Sequence, residues 1–485
     1  MRAIVDISTL SNAARTNNAA VLNATASSVG SWEAVVGARR VFLAFILCVT
    51  VSGCAFYRPE PLPAAPDQTS ALPIDGSTSI GAGEHSLNMA QIAAFAVLRS
   101  PSLFALRQKA DVSEAQAIAL GLLPEPQLLA SGDHPTVHLP SLIEGVGLIN
   151  AYGLGISEDL QALLTYPSRT SAARAAVDQA RLDLLWNEWQ TIEQACTLYV
   201  QASFFEQKAK QLHEAADLLS AQADRAGNAL ASGNTTLDLA GADLSAALDV
   251  SSQADAASRD ASAAMIQLKT LLNLESDAGL SLEMVDDPAP LTRDQISRAL
   301  QNVTQARPDI LALQAGYHSQ EDNVRTAILQ QFPAITLGFN RASDTSGIQT
   351  NGLAVTVNLP IFGSTQQNIK IQRATRAQLK AEYQARLDQT SSDVWRLFDE
   401  ISLLRSQIAN LEEKLPQFET MGNASQKAYA AGDLSAASYV VLQTSLSARE
   451  AELFDLKALL WSDTLTLRTL IAMPLVVPAA AGAEQ

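Results

Sequence analysis

The chain has 485 residues, of which 47% are hydrophobic, 17% are charged and 5% are aromatic. This length allows one large domain or a few ordinary ones. The net charge is −17, and because a chain this acidic repels phosphate backbones, nucleic acid is excluded as a partner. The many Ala, Leu and Gln residues lose little rotamer freedom in a helix, so the composition favours long packed helices.

The N-terminal region has the features of an export signal. Arg39 and Arg40 precede an apolar run at 41–51, and the sequence Val-Ser-Gly-Cys follows, ending at Cys54. A run of about eleven residues is too short to span a bilayer, which takes roughly twenty. The Val-Ser-Gly-Cys ending resembles a bacterial lipobox, which implies cleavage before Cys54 and a lipid on its thiol. The alternative is a helix end with a chance cysteine.

The signal begins unusually late, because the first 38 residues are polar and without clear periodicity. We therefore expect a start codon assigned too far upstream. Once Cys48 leaves with the signal and Cys54 carries lipid, only Cys196 keeps its thiol, so we expect no disulfide framework. The expected domains are a signal peptide with this upstream segment at 1–53, a lipidated Pro-rich tether at 54–86, repeats at 87–290 and 291–475, and a flexible tail at 476–485.

The two expected repeats rest on landmarks that recur in the same order. The Ser-Pro segment that begins at Ser100 is similar to the Arg-Pro segment that begins at Arg307, about 207 residues later. A turn glycine, Gly233, corresponds to Gly432, about 199 residues later. The small change in spacing is what different loop lengths would produce.

Each repeat has the same predicted order of elements: a helix, two strands, a very long helix, a glycine turn and a return helix. The patterns place the first helices at 91–123 and 308–331 and the long helices at 168–231 and 364–431. Helices of about 65 residues reach roughly 100 Å at about 1.5 Å per residue. A compact globular domain has no need of that length, whereas a structure that crosses an aqueous compartment does.

The second repeat shows a heptad pattern that predicts an antiparallel coiled-coil hairpin. Pro416 lies inside its first helix and is expected to kink or loosen it. Arg449 and Asp463 occupy two positions of the second helix that the pattern leaves without an apolar residue. The apolar positions are Leu397, Ile401, Leu404, Ile408, Leu411, Leu415 and Phe418, and then Tyr439, Leu442, Leu446, Leu453, Leu456, Leu460, Leu467 and Leu470.

Alternating apolar and polar residues predict four half-buried strands. Those of the second repeat lie at 334–340 and 353–362, with a polar turn at 344–351, and weaker patterns at 127–132 and 152–157 predict those of the first. The side chains that we expect to face lipid are Leu337, Phe339, Leu353, Val355, Val357 and Leu359.

Four strands cannot close a barrel by themselves. In lipid, an open sheet edge leaves backbone donors and acceptors unpaired, and each costs several kcal/mol. If the strands enter a membrane, several chains must therefore share one barrel. Two copies would supply eight strands and three would supply twelve, and the pattern alone does not choose between them.

Taken with the repeat and the lipobox, these features resemble the TolC-like outer-membrane efflux protein family. The resemblance covers the chain from about residue 87 to 473, and its specific parts are the Arg-Pro-Asp-Ile segment at Arg307, the 352–363 segment and the two turn glycines. It implies a mainly α fold with a small membrane β part. Long antiparallel coiled-coil helices would form a periplasmic α-barrel, and four strands per chain would enter the twelve-stranded β-barrel of a homotrimer, anchored by lipid in the bacterial outer membrane.

The resemblance also implies a function, that of a passive channel in a tripartite efflux system. The partners would be a periplasmic adaptor (membrane fusion) protein, which docks near the helix tips, and an inner-membrane pump, expected to be of the resistance-nodulation-division type. Many family members carry acidic residues after the second tip glycine, whereas this chain has Ser438 and Val441 there and Asp238 and Asp243 near the first tip. The tip residues expected to dock the adaptor are Gly233, Asn234, Thr235, Gly432, Asp433, Leu434 and Ser435.

Two other functions stay open at this point. The same channel could serve a type I protein secretion system, and a lipid-tethered periplasmic coiled-coil scaffold would need no pore. The sequence has no Gly-rich phosphate loop, no zinc-ligand spacing and no convincing nucleophile–base set. We therefore expect no enzyme, no metal site and no cofactor beyond the lipid on Cys54.

Overall fold

A computed structural model describes residues 57–71, 73–74, 78–79, 86–136, 149–359 and 363–475. The expected signal peptide at 1–53, the lipidation residue Cys54 and the expected tail at 476–485 lie outside these residues. Contacts divide the chain into one unit that ends at Pro66 and a second that begins at Asp67. The described part of the first unit, residues 57–66, is exposed and without regular secondary structure.

The described part of the second unit is mainly helical, with a small antiparallel sheet, as the sequence predicts. A short strand pair comes first, and the order helix–helix–strand–strand–long helix–return helix then occurs twice. The first set comprises β1 (Pro73–Ile74), β2 (Thr78–Ser79), α1 (Met89–Arg99), α2 (Pro101–Leu120), β3 (Gln127–Asp133), β4 (Ala151–Asp159), α3 (Leu160–Ala231) and α4 (Leu237–Leu271). The second comprises α5 (Arg293–Ala306), α6 (Pro308–Leu329), β5 (Ala334–Ser343), β6 (Gln349–Asn358), α7 (Ser364–Ala431) and α8 (Ala436–Leu470).

The prediction of a single helix at 91–123 is wrong. Two separate helices, α1 and α2, lie there, with a bend of 47° between them. Proline disfavours helical geometry in the residue before it, and Ser100 accordingly has φ −57° and ψ 119°. Its hydroxyl accepts a hydrogen bond from the Leu103 N–H at 3.4 Å, which caps α2. Arg307 and Pro308 make the same break between α5 and α6. Helix α5 was not predicted from the sequence.

The long helix of the first repeat begins at Leu160, eight residues before the predicted start at 168. Asp159 ends β4 and caps the helix directly, since its carboxylate accepts from the N–H groups of Gln161 at 2.8 Å and Ala162 at 3.4 Å. Helix α7 has the predicted bounds. It is unbroken at Pro416, where the sequence predicts a kink or loosening.

The four longer strands form one antiparallel sheet in the order β3-β4-β5-β6. Within each repeat the strands pair as a hairpin, with Gln127 opposite Ser157 and Ala334 opposite Asn358. The two hairpins join through β4 and β5, where Tyr152 lies opposite Ser343. Strands β3 and β6 are therefore the edges of this sheet, one from each repeat.

The helices pack side by side in rows that follow the same order. Helix α3 packs against α2 on one side and α6 on the other, and α6 packs against α7. Farther from the sheet, α3 packs against α4 and α8, and α8 packs against α7. Both rows, α2-α3-α6-α7 and α4-α3-α8-α7, thus begin with a helix of the first repeat and end with α7.

The predicted heptad pattern forms the contact between α7 and α8. Leu397 to Ile408 of the pattern are buried, and the remaining apolar positions of α7 are half-buried. Of the two vacant positions on α8, Arg449 is exposed and pairs with Glu452 on the same helix. Asp463 is half-buried, and one of its carboxylate oxygens is buried with no hydrogen-bond partner among the described residues. Burial raises the pKa of Asp463 to about 6, with Glu400 adding to the rise and Arg396 opposing it.

Asp463→Asn is expected to stabilise the protein at pH 7.5, because the site favours the neutral form of this side chain. The folded pKa of about 6 lies above the unfolded value near 3.9. The destabilisation by the ionised group therefore sets in as the pH rises through this window and is absent below it. Discounted for partial exposure, the gain is about 1 kcal/mol. Thermal unfolding followed by circular dichroism at pH 7.5 and pH 4 measures it.

Asp399→Asn is the matched control, because Asp399 is an exposed carboxylate on α7. It removes the same charge without a buried oxygen. An equal gain in melting temperature from Asp463→Asn at both pH values would contradict the assigned cause.

Candidate functional site: sheet faces, sheet edges and helix tips

One face of the four-stranded sheet is apolar and exposed. Residues directly opposite in an antiparallel pair share a face, and Phe339 lies opposite both Ile156 and Leu353. Leu337 lies opposite Val355 but also opposite Glu158, and Arg341 shares this face too. Large apolar side chains on it are Leu128, Tyr152, Leu154, Ile156, Ile335, Leu337, Phe339, Leu353, Val355 and Val357, all exposed in the single chain.

The opposite face carries small and polar residues, with Leu129 of edge strand β3 as an exception. Gly338 lies opposite Ser157 and Ala354, and Thr336 lies opposite Thr356. A side chain added at Gly338 would meet the Ser157 and Ala354 side chains at 3.3 and 3.5 Å. The sheet thus has one apolar face and one face of small and polar residues. This alternation is typical of strands in a membrane barrel.

The residues that the sequence predicts to face lipid lie on one surface of the sheet or directly after it. Leu337, Phe339, Leu353, Val355 and Val357 alternate along β5 and β6, and Leu359 follows the end of β6 with 64% of its surface exposed. The first repeat also contributes to this surface, chiefly through Tyr152, Leu154 and Ile156, which were not predicted. Their alternation with Gly153 and Gly155 in the sequence would have indicated it.

Tight glycine turns close both helical hairpins at the end far from the sheet. Gly233 has φ +72° and Gly432 has φ +83°, the left-handed region that side chains disfavour. The N–H of Asn234 donates to the Ala229 carbonyl, and the N–H of Asp433 donates to the Ala428 carbonyl, both at 2.8 Å. These are Schellman caps. No heavy atom lies within 4 Å of a side chain built at either glycine. The positive backbone angle alone is therefore the reason for glycine at these two positions.

The residues expected to dock an adaptor lie together in these two turns. Gly233, Asn234, Gly432, Asp433 and Ser435 are exposed, whereas Thr235 and Leu434 are half-buried. The Ser435 hydroxyl accepts from the Ser438 N–H at 3.2 Å and caps α8. Leu434 packs on the cluster that fills the α3–α4 hairpin.

The two aspartates near the first tip have different surroundings. Asp238 is exposed, and a hydrogen bond from the Thr236 side chain lowers its pKa. Asp243 is 3% exposed and accepts a hydrogen bond from the Gln222 amide at 3.2 Å. It therefore points between α3 and α4. Its helical spacing from Ala240, Ala247 and Val250, all buried, was the signal that could have revealed this.

Among the described residues, no group of three or more His, Cys, Asp or Glu side chains could hold a metal ion. Cys196 is completely buried, and burial raises the pKa of its thiol to about 12. No single described helix is long and apolar enough to cross a bilayer, and only the bent pair α1 and α2 meets that test together.

Comparisons with known proteins agree with this arrangement. The family described as outer membrane efflux protein matches residues 299–472, most of the second repeat. None of the curated proteins compared with the chain matches it. The fold is similar to that of CusC, with a TM-score of 0.65 and 17% identity over 87% of this chain and 100% of that one.

Two outer membrane channels are similar to the same extent. CmeC of Campylobacter jejuni gives a TM-score of 0.66 and 16% identity over 86% of this chain and 94% of that one. MtrE of Neisseria gonorrhoeae, in its open state, gives 0.59 and 18% over 87% and 98%. The likeness thus extends over both repeats, beyond the segment that the family match covers. Residues 299–472 thus match the outer membrane efflux protein family, and the fold of both repeats is similar to that of these channels.

Proposed function

We propose that the protein is the outer-membrane channel subunit of a tripartite efflux system and works as a homotrimer. The observation that carries this proposal is the two-faced sheet with one open edge from each repeat. Strand β6 of one copy would pair with β3 of the next, and three copies would close twelve strands. The apolar face would then contact lipid, and the small and polar face would line the pore.

The helices support the same assembly. Both rows end in α7 on one side and in α2 or α4 on the other, so a copy that extends the sheet also extends the rows. Helix α3 has 72 residues and α7 has 68, which correspond to about 108 and 102 Å. A closed ring of such helices would continue the pore for that distance into the periplasm.

A passive channel needs a source of energy elsewhere. We assign it to an inner-membrane pump of the resistance-nodulation-division type, joined through a periplasmic adaptor that docks on the tip residues. Exposed turns at the far end of both hairpins suit such a contact. CmeC and MtrE are themselves described as outer membrane channels. Service in type I protein secretion would use the same geometry, whereas a scaffold without a pore gives no reason for a two-faced sheet.

We further propose a lipid on Cys54 that anchors the chain in the outer membrane. The short apolar run after Arg39 and Arg40 and the small residues before Cys54 support it. The exposed, irregular chain at 57–66 is suited to a tether.

The mature protein is expected to behave as a trimer and to form a long-lived pore. Its mass in detergent should be three times that of one chain, and planar bilayers of phosphatidylcholine should show discrete single-channel conductance. A monomer that never conducts would overturn the channel and favour the scaffold.

Two adjacent residues of β6 supply matched variants for this measurement. Val355→Lys places a charge on the lipid-facing side of each copy, at a cost of about 2–4 kcal/mol near the bilayer midplane, and should prevent insertion. Thr356→Lys places it on the pore-facing side, and the channel should still insert and conduct with an increased preference for anions. Equal behaviour of the two variants would contradict the assignment of the faces.

Lipidation of Cys54 is expected to leave one free thiol per chain. The sequence has three cysteines, and processing would remove Cys48 and acylate Cys54. Denatured protein should therefore take up one equivalent of a thiol reagent, at Cys196. The folded protein should take up none, because Cys196 is buried and its raised pKa keeps the thiol protonated. Cys54→Ser, which blocks processing, should show two thiols when denatured. Three in the wild-type protein would contradict lipidation.

Docking at the tips is expected to fail when a tip residue carries a bulky group. Asn234→Cys labelled with a polyethylene glycol maleimide should lose binding of the periplasmic adaptor, measured by surface plasmon resonance. The buried Cys196 does not compete for the label. Asp260→Cys is the control, because Asp260 is exposed on α4 about 35 Å from the helix start. Loss of binding with both labelled variants, or with neither, would contradict tip docking.

A further inference from the structure

A single positive charge interrupts the apolar face of the sheet. The sequence stretches 121–159 and 329–363, which contain the four longer strands, have one Lys or Arg between them, and that residue is Arg341. Arg341 is exposed, and it lies opposite Leu154 on β4 and Asn351 on β6. Because directly opposite residues share a face, Arg341 belongs to the apolar face. The proposed trimer turns that face toward lipid.

Arg341 lies near the end of the sheet that is far from the helices. Strand β5 leads away from α6, and its 10 residues match the roughly 9–11 that a tilted strand needs to cross a bilayer. Arg341 is followed by only two more residues of this strand. Tyr152, opposite Ser343, lies one level farther out on the same face, and Tyr is enriched at membrane boundaries. With the helices in the periplasm, this boundary is that of the outer leaflet.

No described carboxylate neutralises this arginine. Its guanidinium donates to the side-chain oxygen of Gln349 at 3.2 Å, and it forms no ion pair with another described residue. On the same face of the described strands the acidic residue is Glu158, which lies opposite Leu337, about 14 Å from Arg341 along the strand. Asp344, in the turn after β5, accepts hydrogen bonds from N–H groups of its own turn.

Neither a neighbouring copy nor the pore supplies the missing negative charge. In the proposed trimer β6 pairs with β3 of the next copy, and opposite residues in such a pair share a face. The residues of β3 on the apolar face are Leu128, Ala130 and Gly132, and none of them is charged. The pore lies on the other side of the sheet, because successive side chains of a strand alternate between its faces. The environment left for the guanidinium of Arg341 is the outer boundary of the membrane.

We propose that Arg341 binds a phosphate group of lipid A, the phosphorylated glycolipid of the outer leaflet. The inference rests on the proposed function, which places this face in the outer membrane. A guanidinium is a planar double donor that matches phosphate. The amide groups of Gln349 and Asn351, both exposed on the same face, can donate to sugar or phosphate oxygens. Leu154 and Phe339, also exposed there, would contact the acyl chains. Positive charge at the edge of an apolar surface is thus complementary to an anionic, acylated ligand.

The test measures the affinity of the detergent-purified trimer for lipid A by native mass spectrometry. Diphosphorylated lipid A and the same lipid without its phosphates are titrated against the wild type, Arg341→Gln, Arg341→Lys and Arg259→Gln. The last variant is the control, because Arg259 is an exposed arginine on α4, in the hairpin that leads away from the sheet. The mass of each variant shows that it still assembles.

Arg341→Gln should bind diphosphorylated lipid A about tenfold more weakly than the wild type, since a charge-assisted pair is lost. Arg341→Lys should keep most of the affinity, because it keeps the charge and loses only the planar double donor. Arg259→Gln should equal the wild type. Lipid A without phosphates should bind all four proteins equally, and more weakly than the phosphorylated form binds the wild type.

Two results would overturn the assignment of this site. Arg341→Gln could bind diphosphorylated lipid A as tightly as the wild type does. It could also lose the same affinity for both forms of the lipid, which would indicate a general change of the apolar surface. Failure of the proposed function is distinguishable, because it would appear as absent conductance of the wild-type protein in neutral phosphatidylcholine. Arg341→Gln is expected to conduct there as the wild type does.

Discussion

The backbone hydrogen bonds at the two edges of the sheet constrain everything else in this protein. A sheet that faces lipid cannot leave a row of N–H and C=O groups unpaired, because no water is present to receive them. Strands β3 and β6 carry those rows, and neither can bend round to the other across only four strands. The hydrogen bonds can be completed by further copies joined head to tail. In the proposed trimer the subunit is one segment of a wall, and its helix rows then have to repeat at the same angle as its strands.

A buried arginine ties the helices of that wall together near the start of the second repeat. The side chain of Arg307 is 3% exposed, and its Nε lies 2.7 Å from an Asp309 carboxylate oxygen. The guanidinium also donates to the Thr390 hydroxyl of α7 at 2.9 Å and lies 4.9 Å from the ring centre of Trp186 on α3. One residue thus joins the α5–α6 break to both long helices. Removal of one member of such a buried pair typically costs about 3–5 kcal/mol.

The repeats are alike in backbone but not in this contact. Ser100 occupies the position of Arg307 in the first repeat, and its hydroxyl caps α2 without an ion pair. The likeness instead extends to helix ends, where Asn273 and Ala472 adopt φ +56° and +54° at equivalent positions, about 199 residues apart. The two repeats therefore share the backbone conformation that ends their helices. The side chains diverged where each repeat meets different neighbours.

The sequence predicted the parts of the fold that local patterns encode. The bounds of α7, the heptad contact and the turn at Gly432 follow from helical periodicity and from the one residue that tolerates a left-handed backbone. The break at Ser100 was also local, because Pro101 disfavours a continuous helix, and a prediction that used apolar spacing alone missed it. Helix α5 is only 14 residues long, and its place depends on the packing of Ile296 against α7 and α8.

Other features could not be predicted because they depend on which helix lies opposite. Asp243 and Asp463 are both acidic residues at apolar positions of a helix, yet only Asp463 has a carboxylate oxygen that is buried without a partner among the described residues. A Gln on α3 supplies a donor to Asp243, and nothing in the pattern of α4 indicates that donor. The net charge likewise does not reveal how charges are arranged in the folded protein. A value of −17 describes the whole chain. Residues 160–177 and 364–381, at the starts of the two long helices, contain basic but no acidic residues, so the sign of the local charge changes with distance from the sheet. The net charge can exclude a partner that contacts most of the protein surface. It cannot exclude a partner that contacts only one region, where the local charge can have the opposite sign.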